Sequence, residues 1–302
     1  MSSRGATRKP TRSGNENAGV PMLSSQVFFD QTSPLSWLVK GVLVADQFAV
    51  LAGPPESLIT NIGLDLALSL ASGTPFLNKF PVPNAVRVGF FSCEFQASTV
   101  AETAKRIARS KELDEDDFDV RWACDVPPLD DDEGLAKFGE TIVEQDLGVV
   151  VIDPIHTCLV TKSGLQASNI FEISPLLARV TRTCLNAGAT LIATHHTRKN
   201  AKPPLDVEDL AQCGIGEAAR QRILVSRRSP FIEGCGVHQL RMTIGGSAGF
   251  SSVWAVDLDE GLPGENLDGR RWLTSVRRLK PGAKSDRPRR SYGGGAQDAG
   301  LV

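Results

Sequence analysis

The sequence predicts an α/β domain, a mostly parallel sheet flanked by helices and extended by antiparallel strands toward its C-terminal side. Three observations carry this expectation. Strand-like apolar runs alternate with helix-periodic runs through the first two thirds of the chain. Two of the apolar runs, 147–153 and 189–194, are continuous rather than alternating, as strands covered on both faces are. Beyond residue 220, short strand-like runs follow one another through Gly-rich turns.

In chain order, residues 48–52 form the first clear strand. The helix expected over 61–72 carries Ile62, Leu66, Ala67 and Leu70 at helical spacing, and Gly73 is its stop. A second strand is expected over 86–92 and a helix, basic on one side, over 97–111. Residues 113–132 are acidic and loop-like, with a short strand at 120–123. A helix over 134–145 leads into the buried strand 147–153. A long helix over 170–187, with Pro175 in its first turns, leads into the buried strand 189–194. Residues 221–226, 237–244 and 252–258 are the later strands, and no internal repeat is visible.

With 302 residues and 41% hydrophobic content, the chain can bury a substantial core. The expected organisation is one domain over 23–280 between disordered tails at 1–22 and 281–302. The net charge of −2 gives no global attraction to nucleic acid. Charge is uneven, however. Arg4, Arg8, Lys9 and Arg12 make one end basic, and Arg277, Arg278, Lys280, Lys284, Arg287, Arg289 and Arg290 the other. Such ends serve either as non-specific DNA contacts or as solubilising tails. The six cysteines include no C-x-x-C and no zinc spacing with histidine, so a reducing, cytoplasmic location is expected. No run approaches the ~20 apolar residues of a membrane span, and the N-terminus lacks the apolar core of a secretory signal.

Chemistry concentrates at the C-terminal ends of the expected parallel strands, the edge that faces ligand in open α/β sheets. After the first strand come Gly53, Pro54, Pro55, Glu56, Ser57, Leu58, Ile59 and Thr60, followed by Asn61. This segment has the length and flanks of the phosphate loop G-x-x-x-x-G-K-[ST]. Gly53 and Thr60 are in register, Leu58 replaces the second glycine, and Ile59 stands where the lysine belongs. Backbone N–H groups at a helix N-terminus still suit phosphate, although Pro54 and Pro55 supply none. Thr60 can still hold Mg²⁺, whereas Ile59 supplies no charge. Weak ATP binding and slow or no hydrolysis are therefore expected, unless another cation such as Lys199 reaches the phosphates. Glu94, after the second strand, can orient or deprotonate a water. Asp153 closes an apolar strand as a Mg²⁺-supporting carboxylate does. His195 and His196 end a third strand as candidate γ-phosphate sensors, and they have no cysteine or carboxylate partner at zinc spacing. The absence of G-x-G-x-x-G after the first strand excludes a dinucleotide oxidoreductase.

Six segments occur in one order: Trp37-Leu38-Val39-Lys40-Gly41, the loop from Gly53, Ala-Ser-Gly-Thr-Pro-Phe-Leu at 71–77, Ser92-Cys93-Glu94, Val151-Ile152-Asp153-Pro154 and Thr194-His195-His196. Together with Gly216-Glu217-Ala218-Ala219-Arg220-Gln221 and Gly245-Gly246-Ser247-Ala248-Gly249, this order resembles the RecA-like AAA-family ATPases related to RepA-type hexameric replicative helicases. The resemblance spans roughly residues 35–260. It implies a RecA-like P-loop core, ATP and Mg²⁺ bound at the interfaces of a homo-oligomeric, hexameric ring, and action on DNA. It also implies Gly53 to Thr60 as the phosphate loop, Glu94 as catalytic carboxylate, Asp153 as metal-supporting carboxylate and His195 or His196 as sensor. Arg220, with Arg227 and Arg228 behind it, would be the finger completing a neighbour's site. The alternative is a degenerate member kept as a nucleotide- or DNA-binding scaffold without motor activity. Ile59 favours that alternative, and the retained Glu94, Asp153 and histidines oppose it.

Overall fold

The computed structural model describes residues 22–93, 96–159, 170–198, 201–211, 214–232, 234–262 and 269–279, with backbone alone at 170–172. The tails expected at 1–22 and 281–302 fall outside these residues, apart from Met22. The chain divides into two units, residues 1–35 and 36–302. Among its described residues the first carries one helix, α1 (Ser25–Gln31), whose N-terminus is capped by Ser24 Oγ accepting from Val27 N. α1 buries none of its residues, and Phe28 and Phe29 are exposed.

The second unit opens with a small hairpin, β1 (Trp37–Val39) and β2 (Leu43–Val44). A strand–helix alternation follows. β3 (Ala49–Gly53) leads into α2 (Ile59–Ser72), β4 (Val88–Ser92) into α3 (Ala97–Ser110), and β5 (Val120–Ala123) into α4 (Asp132–Glu144). β6 (Val149–Asp153) is followed by the short α5 (Ile155–Leu159) and the long α6 (Ile170–Asn186). β7 (Thr190–His196), the short α7 (Ile215–Ala218) and β8 (Gln221–Arg227) complete the alternation. Three long antiparallel strands close the unit: β9 (Val237–Gly246), β10 (Ser251–Gly261) and β11 (Arg270–Arg278).

The main sheet has the order β11-β10-β9-β8-β3-β7-β6-β4-β5. From β8 to β5 every pairing is parallel; from β8 to β11 every pairing is antiparallel. This is the predicted α/β architecture. β3, β4, β6 and β7 are buried almost throughout because helices cover both faces, which explains their continuous apolar sequences. One core lies between the sheet and α2–α3 and includes Leu51, Ile62, Leu66, Phe90, Val151 and Trp272. The other lies under α4 and α6 and includes Val50, Phe138, Ile152, Leu177 and Ala193.

Local signals set the helix ends. α2 stops at Gly73, whose φ of 79° is left-handed and free of Cβ strain there. α4 begins two residues earlier than expected because Asp131 accepts from Gly134 N and caps it. β7 runs two residues further than expected, so both histidines belong to the strand itself. Sequence reasoning missed α1, β1, β2, α5, α7 and β11. Arg277 and Arg278, read as part of a basic end, lie in β11, an edge strand where charged side chains also discourage pairing with another sheet.

α2 is anchored by a buried carboxylate. Asp65, fully buried, accepts from Trp272 Nε1 at 2.6 Å and from Leu77 N at 2.9 Å, and Lys111 Nζ lies 3.3 Å away. These bonds join α2, the end of α3, the following loop and β11 around one side chain. They hold the helix whose N-terminus forms the candidate site.

Candidate nucleotide site

Because β8, β3, β7, β6 and β4 are parallel, their C-terminal ends lie along one sheet edge. The register pairs Gly53 with His196, Ala52 with His195 and with Leu224, and Asp153 with Ser92. The loop 54–58, Asp153, His195 and His196 therefore gather at that edge.

The loop after β3 is a tight turn that runs directly into α2. Gly53 leaves no room for a side chain, since a Cβ there would lie 2.3 Å from Val225 O and 2.6 Å from Ser57 Oγ. Ser57 is buried, and its hydroxyl donates to Pro54 O at 2.6 Å, tying the turn to itself. Leu58, in place of the second glycine, has a left-handed φ of 61°. The conformation that a glycine would take without strain is retained by a leucine, at a cost of roughly 1–2 kcal/mol. The side chain of Leu58 packs on the α2-side core. α2 then starts with no side chain capping its first N–H groups. Those donors face the loop, the arrangement that suits a phosphate.

Ile59 turns away from this site. It is 6% exposed and belongs to the α2-side core, with its Cδ1 3.1 Å from where a Gly53 Cβ would stand. Position 59, where the expected pattern has a lysine, is thus held by a packing residue at the root of the loop.

Thr60 and Asp153 meet. Thr60 Oγ1 donates to Asp153 Oδ1 at 3.2 Å, and the Thr194 hydroxyl donates to the same oxygen. Asp153 is 1% exposed, and its carbonyl accepts from Cys93 N at 2.9 Å. A buried carboxylate beside a threonine hydroxyl at the start of a helix is a donor set of hard oxygens, which fits Mg²⁺ carried by a nucleotide. Asn61, the next residue, donates to Glu260 instead, at 2.8 Å.

The two histidines face opposite ways, as neighbours in a strand must. His196 shares a face with Thr194 and pairs in register with Gly53 at the loop's root. His195 is 2% exposed on the other face, with Nε2 2.5 Å from Ala211 O. That carbonyl fixes the tautomer with hydrogen on Nε2. Burial pushes the His195 pKa down to about 4, so the ring is neutral at pH 7. Sequence reasoning missed His156, whose ring centroid lies 5.8 Å from His195 and 6.0 Å from His196. Its position three residues after Asp153 was the available signal.

The arginines divide. Arg220 precedes β8 at the opposite edge of the sheet, with its N–H bonded to Phe48 O at 2.9 Å. Seven residues of strand, roughly 23 Å, separate it from Arg227, so within one chain it does not approach the loop. Arg228 is taken up by Asp257 and by Leu240 O. Arg227, at the end of β8, donates from Nη2 to the carbonyl of Glu56 in the loop. Glu94 and Lys199 lie outside the described residues. A cavity of about 810 Å³ between α3 and β5 is lined by Val100, Ala104, Phe118 and Trp122 together with Lys105, Arg109 and Glu115, and no residue of the loop lines it.

No group of three or more His, Cys, Asp or Glu side chains among the described residues is placed to hold a metal by itself. No helix among them is long and apolar enough to cross a membrane. No curated protein matches the chain. Residues 18–202 match the family described as AAA domain, a span that contains the loop, Thr60, Asp153, His195 and His196. That match takes in more than half of the sequence and coincides with the strand-end site, and the chain belongs to this AAA domain family.

Proposed function

We propose that the chain is a Mg²⁺-dependent, ATP-binding member of the DNA-acting ring ATPases, in which hydrolysis is slow. The observation that carries this reading is the Thr60–Asp153 bond at 3.2 Å, which joins the start of the loop helix to a buried strand-end carboxylate. Family membership supports nucleotide binding. Action on DNA and assembly into a hexameric ring rest on the resemblance to RepA-type helicases, and the basic residues at both ends of the sequence suit a nucleic-acid partner.

In this reading the loop N–H groups and the first turn of α2 hold the phosphates. Bound ATP·Mg²⁺ supplies an activated phosphoryl group. Thr60 and Asp153 hold the metal's shell, Asp153 being kept in place by Thr194. His196, on the loop's side of β7, is positioned as the sensor, and Glu94 is the carboxylate for water. Arg220, far from its own loop, is available to a neighbouring subunit's site.

Slow hydrolysis follows from Ile59. Losing one preorganised cationic donor lowers rate by about 10²–10³, and the side chain is buried where it cannot help. That burial also favours a second reading, a nucleotide-binding scaffold without motor activity. Steady-state ATP hydrolysis by wild type and Ile59→Lys, with and without DNA, separates the two. The ATPase reading predicts slow DNA-stimulated turnover in wild type and faster turnover in Ile59→Lys. Turnover confined to the variant establishes the scaffold, and no nucleotide binding by either protein rejects the site.

A further inference from the structure

We infer that Arg227 supplies, within the same chain, the phosphate-binding cation that the loop itself lacks. This rests on the nucleotide-site reading and adds a residue to it. β8 lies beside β3 in parallel, with Leu224 opposite Ala52, so the strand's last residue stands over the loop that follows Gly53. Its guanidinium donates to the Glu56 carbonyl, at the middle of that loop.

The side chain is held in place by more than this bond. Arg227 Nη1 lies 3.3 Å from His238 Nδ1, and the guanidinium sits 5.4 Å from the Phe231 ring centroid. Phe231 in turn stacks on His238 at 5.6 Å. His238 Nε2 donates to Glu260 Oε2 at 3.1 Å, which leaves Nδ1 as the acceptor for Arg227. Glu260 also receives Arg106 at 3.1 Å, Arg270 at 3.2 Å and Asn61 Nδ2 at 2.8 Å. A continuous polar chain therefore runs from the loop carbonyl through Arg227, His238 and Glu260 to Asn61, in the first turn of α2.

Two arginines, Arg106 and Arg270, bind the Glu260 carboxylate, and Arg227 reaches the same chain through His238. Arg106, although bound to Glu260, is 3% exposed and has no hydrogen-bond partner for Nε or Nη1 among the described residues. A guanidinium has five N–H donors in a planar fork. The Glu56 carbonyl and His238 take two from Arg227, and the others are available to phosphate oxygens. A phosphate-binding charge thus comes from the neighbouring strand, without the placement at position 59 that fast turnover needs, and position 59 is released to the core.

The test measures Mg·ATP and Mg·ADP affinity by calorimetry in wild type, Arg227→Gln and Arg227→Lys, with thermal midpoints recorded for each. Gln keeps a donor for the loop carbonyl and loses the charge. The inference predicts at least about tenfold weaker ATP binding in Arg227→Gln, a smaller loss in Arg227→Lys, and recovery when Ile59→Lys is added to Arg227→Gln. Wild-type affinity in a folded Arg227→Gln overturns the inference and leaves the site standing. A wild type that binds neither nucleotide overturns both. If Arg227→Gln fails to fold, Arg227→Lys decides through its ATP-to-ADP affinity ratio, and an unchanged ratio overturns the inference.

A different observation carries a second inference. Cys93 directly follows β4, Cys158 lies in α5, and their sulfur atoms are 2.8 Å apart with both thiols free. We infer that peroxide joins them in a disulfide at the rim of the site. Cys93, partly exposed, is oxidised by one H₂O₂ to a sulfenic acid with release of water. The Cys158 thiol then displaces hydroxyl as a second water and forms the S–S bond. The bond would tie the residue before Glu94 to the helix after Asp153. Peptide mapping after H₂O₂ treatment of wild type, Cys93→Ser and Cys158→Ser tests this without reference to nucleotide. A linked 93–158 peptide in wild type alone supports it, and sulfinic acid or an unmodified pair overturns it.

Discussion

Thr60 Oγ1 lies 3.2 Å from Asp153 Oδ1, joining the first turn of α2 to the end of β6 across 93 positions of sequence. Neither residue is remarkable for its type. Their meeting beside a loop whose helix has no side-chain cap is what makes the edge a candidate metal–phosphate site.

Thr60→Val removes the hydroxyl and keeps the shape. Nucleotide affinity in the presence of Mg²⁺ is expected to fall by about tenfold, the equivalent of one lost hydrogen bond to a charged group. Affinity measured in EDTA should not change. An equal loss in both conditions would assign Thr60 to packing rather than to the metal.

Ile59 is expected to behave as a core residue. Ile59→Ala should lower stability by about 2–4 kcal/mol, the usual cost of removing a buried aliphatic side chain. Ile59→Lys should cost less, because a lysine stem can follow the apolar path while its ammonium reaches the loop. Urea unfolding of the three proteins gives the comparison. A negligible effect of Ile59→Ala would show the side chain to be loosely held.

The buried Asp65 is expected to be a stability determinant. Asp65→Ala strands the Trp272 indole N–H and leaves Lys111 with the Pro75 carbonyl but no counter-charge, and a loss of about 3–5 kcal/mol follows from a buried charge without its ionic partner. Denaturant midpoints followed by tryptophan fluorescence report it. A loss below about 1 kcal/mol would mean that Lys111 re-solvates without disturbing α2.

His195 gives stability a pH dependence. Its folded pKa, about 4, lies below the ordinary 6.5 because of burial. Between these values the unfolded chain binds the proton and the folded chain does not, so stability is full above pH 6.5 and is lost as pH falls toward 4. The loss amounts to roughly 3 kcal/mol. Carboxylates titrate over part of the same range, so the measurement is the difference between wild type and His195→Gln in unfolding free energy at pH 7 and pH 4.5. A pH-independent difference would contradict the assignment.

Much of the fold was legible because parallel strands covered on both faces write continuous apolar runs, as at Val149–Asp153. The rule that strand ends carry ligand groups then picked out Asp153, His195 and His196. Other features had no such signature. β11 is an edge strand that fully buries only Trp272 among arginines, so its sequence reads as a charged segment. β1 and β2 have too few residues to show a period. The inward turn of Ile59 depends on packing against Gly53, and the Arg227 contact depends on β8 lying beside β3. Both are tertiary facts, decided by residues distant in the chain. The strand-end rule nevertheless applied to Arg227 as it did to Asp153.

The central claim is that the Thr60–Asp153 edge binds a magnesium nucleotide although the loop has no lysine. Calorimetric titration of Mg·ATP into wild type and Asp153→Asn tests it most directly. The account predicts saturable binding to wild type and at least about tenfold weaker binding to the variant. Wild type that takes up no Mg·ATP at millimolar concentration, or equal affinity in the two proteins, would contradict it.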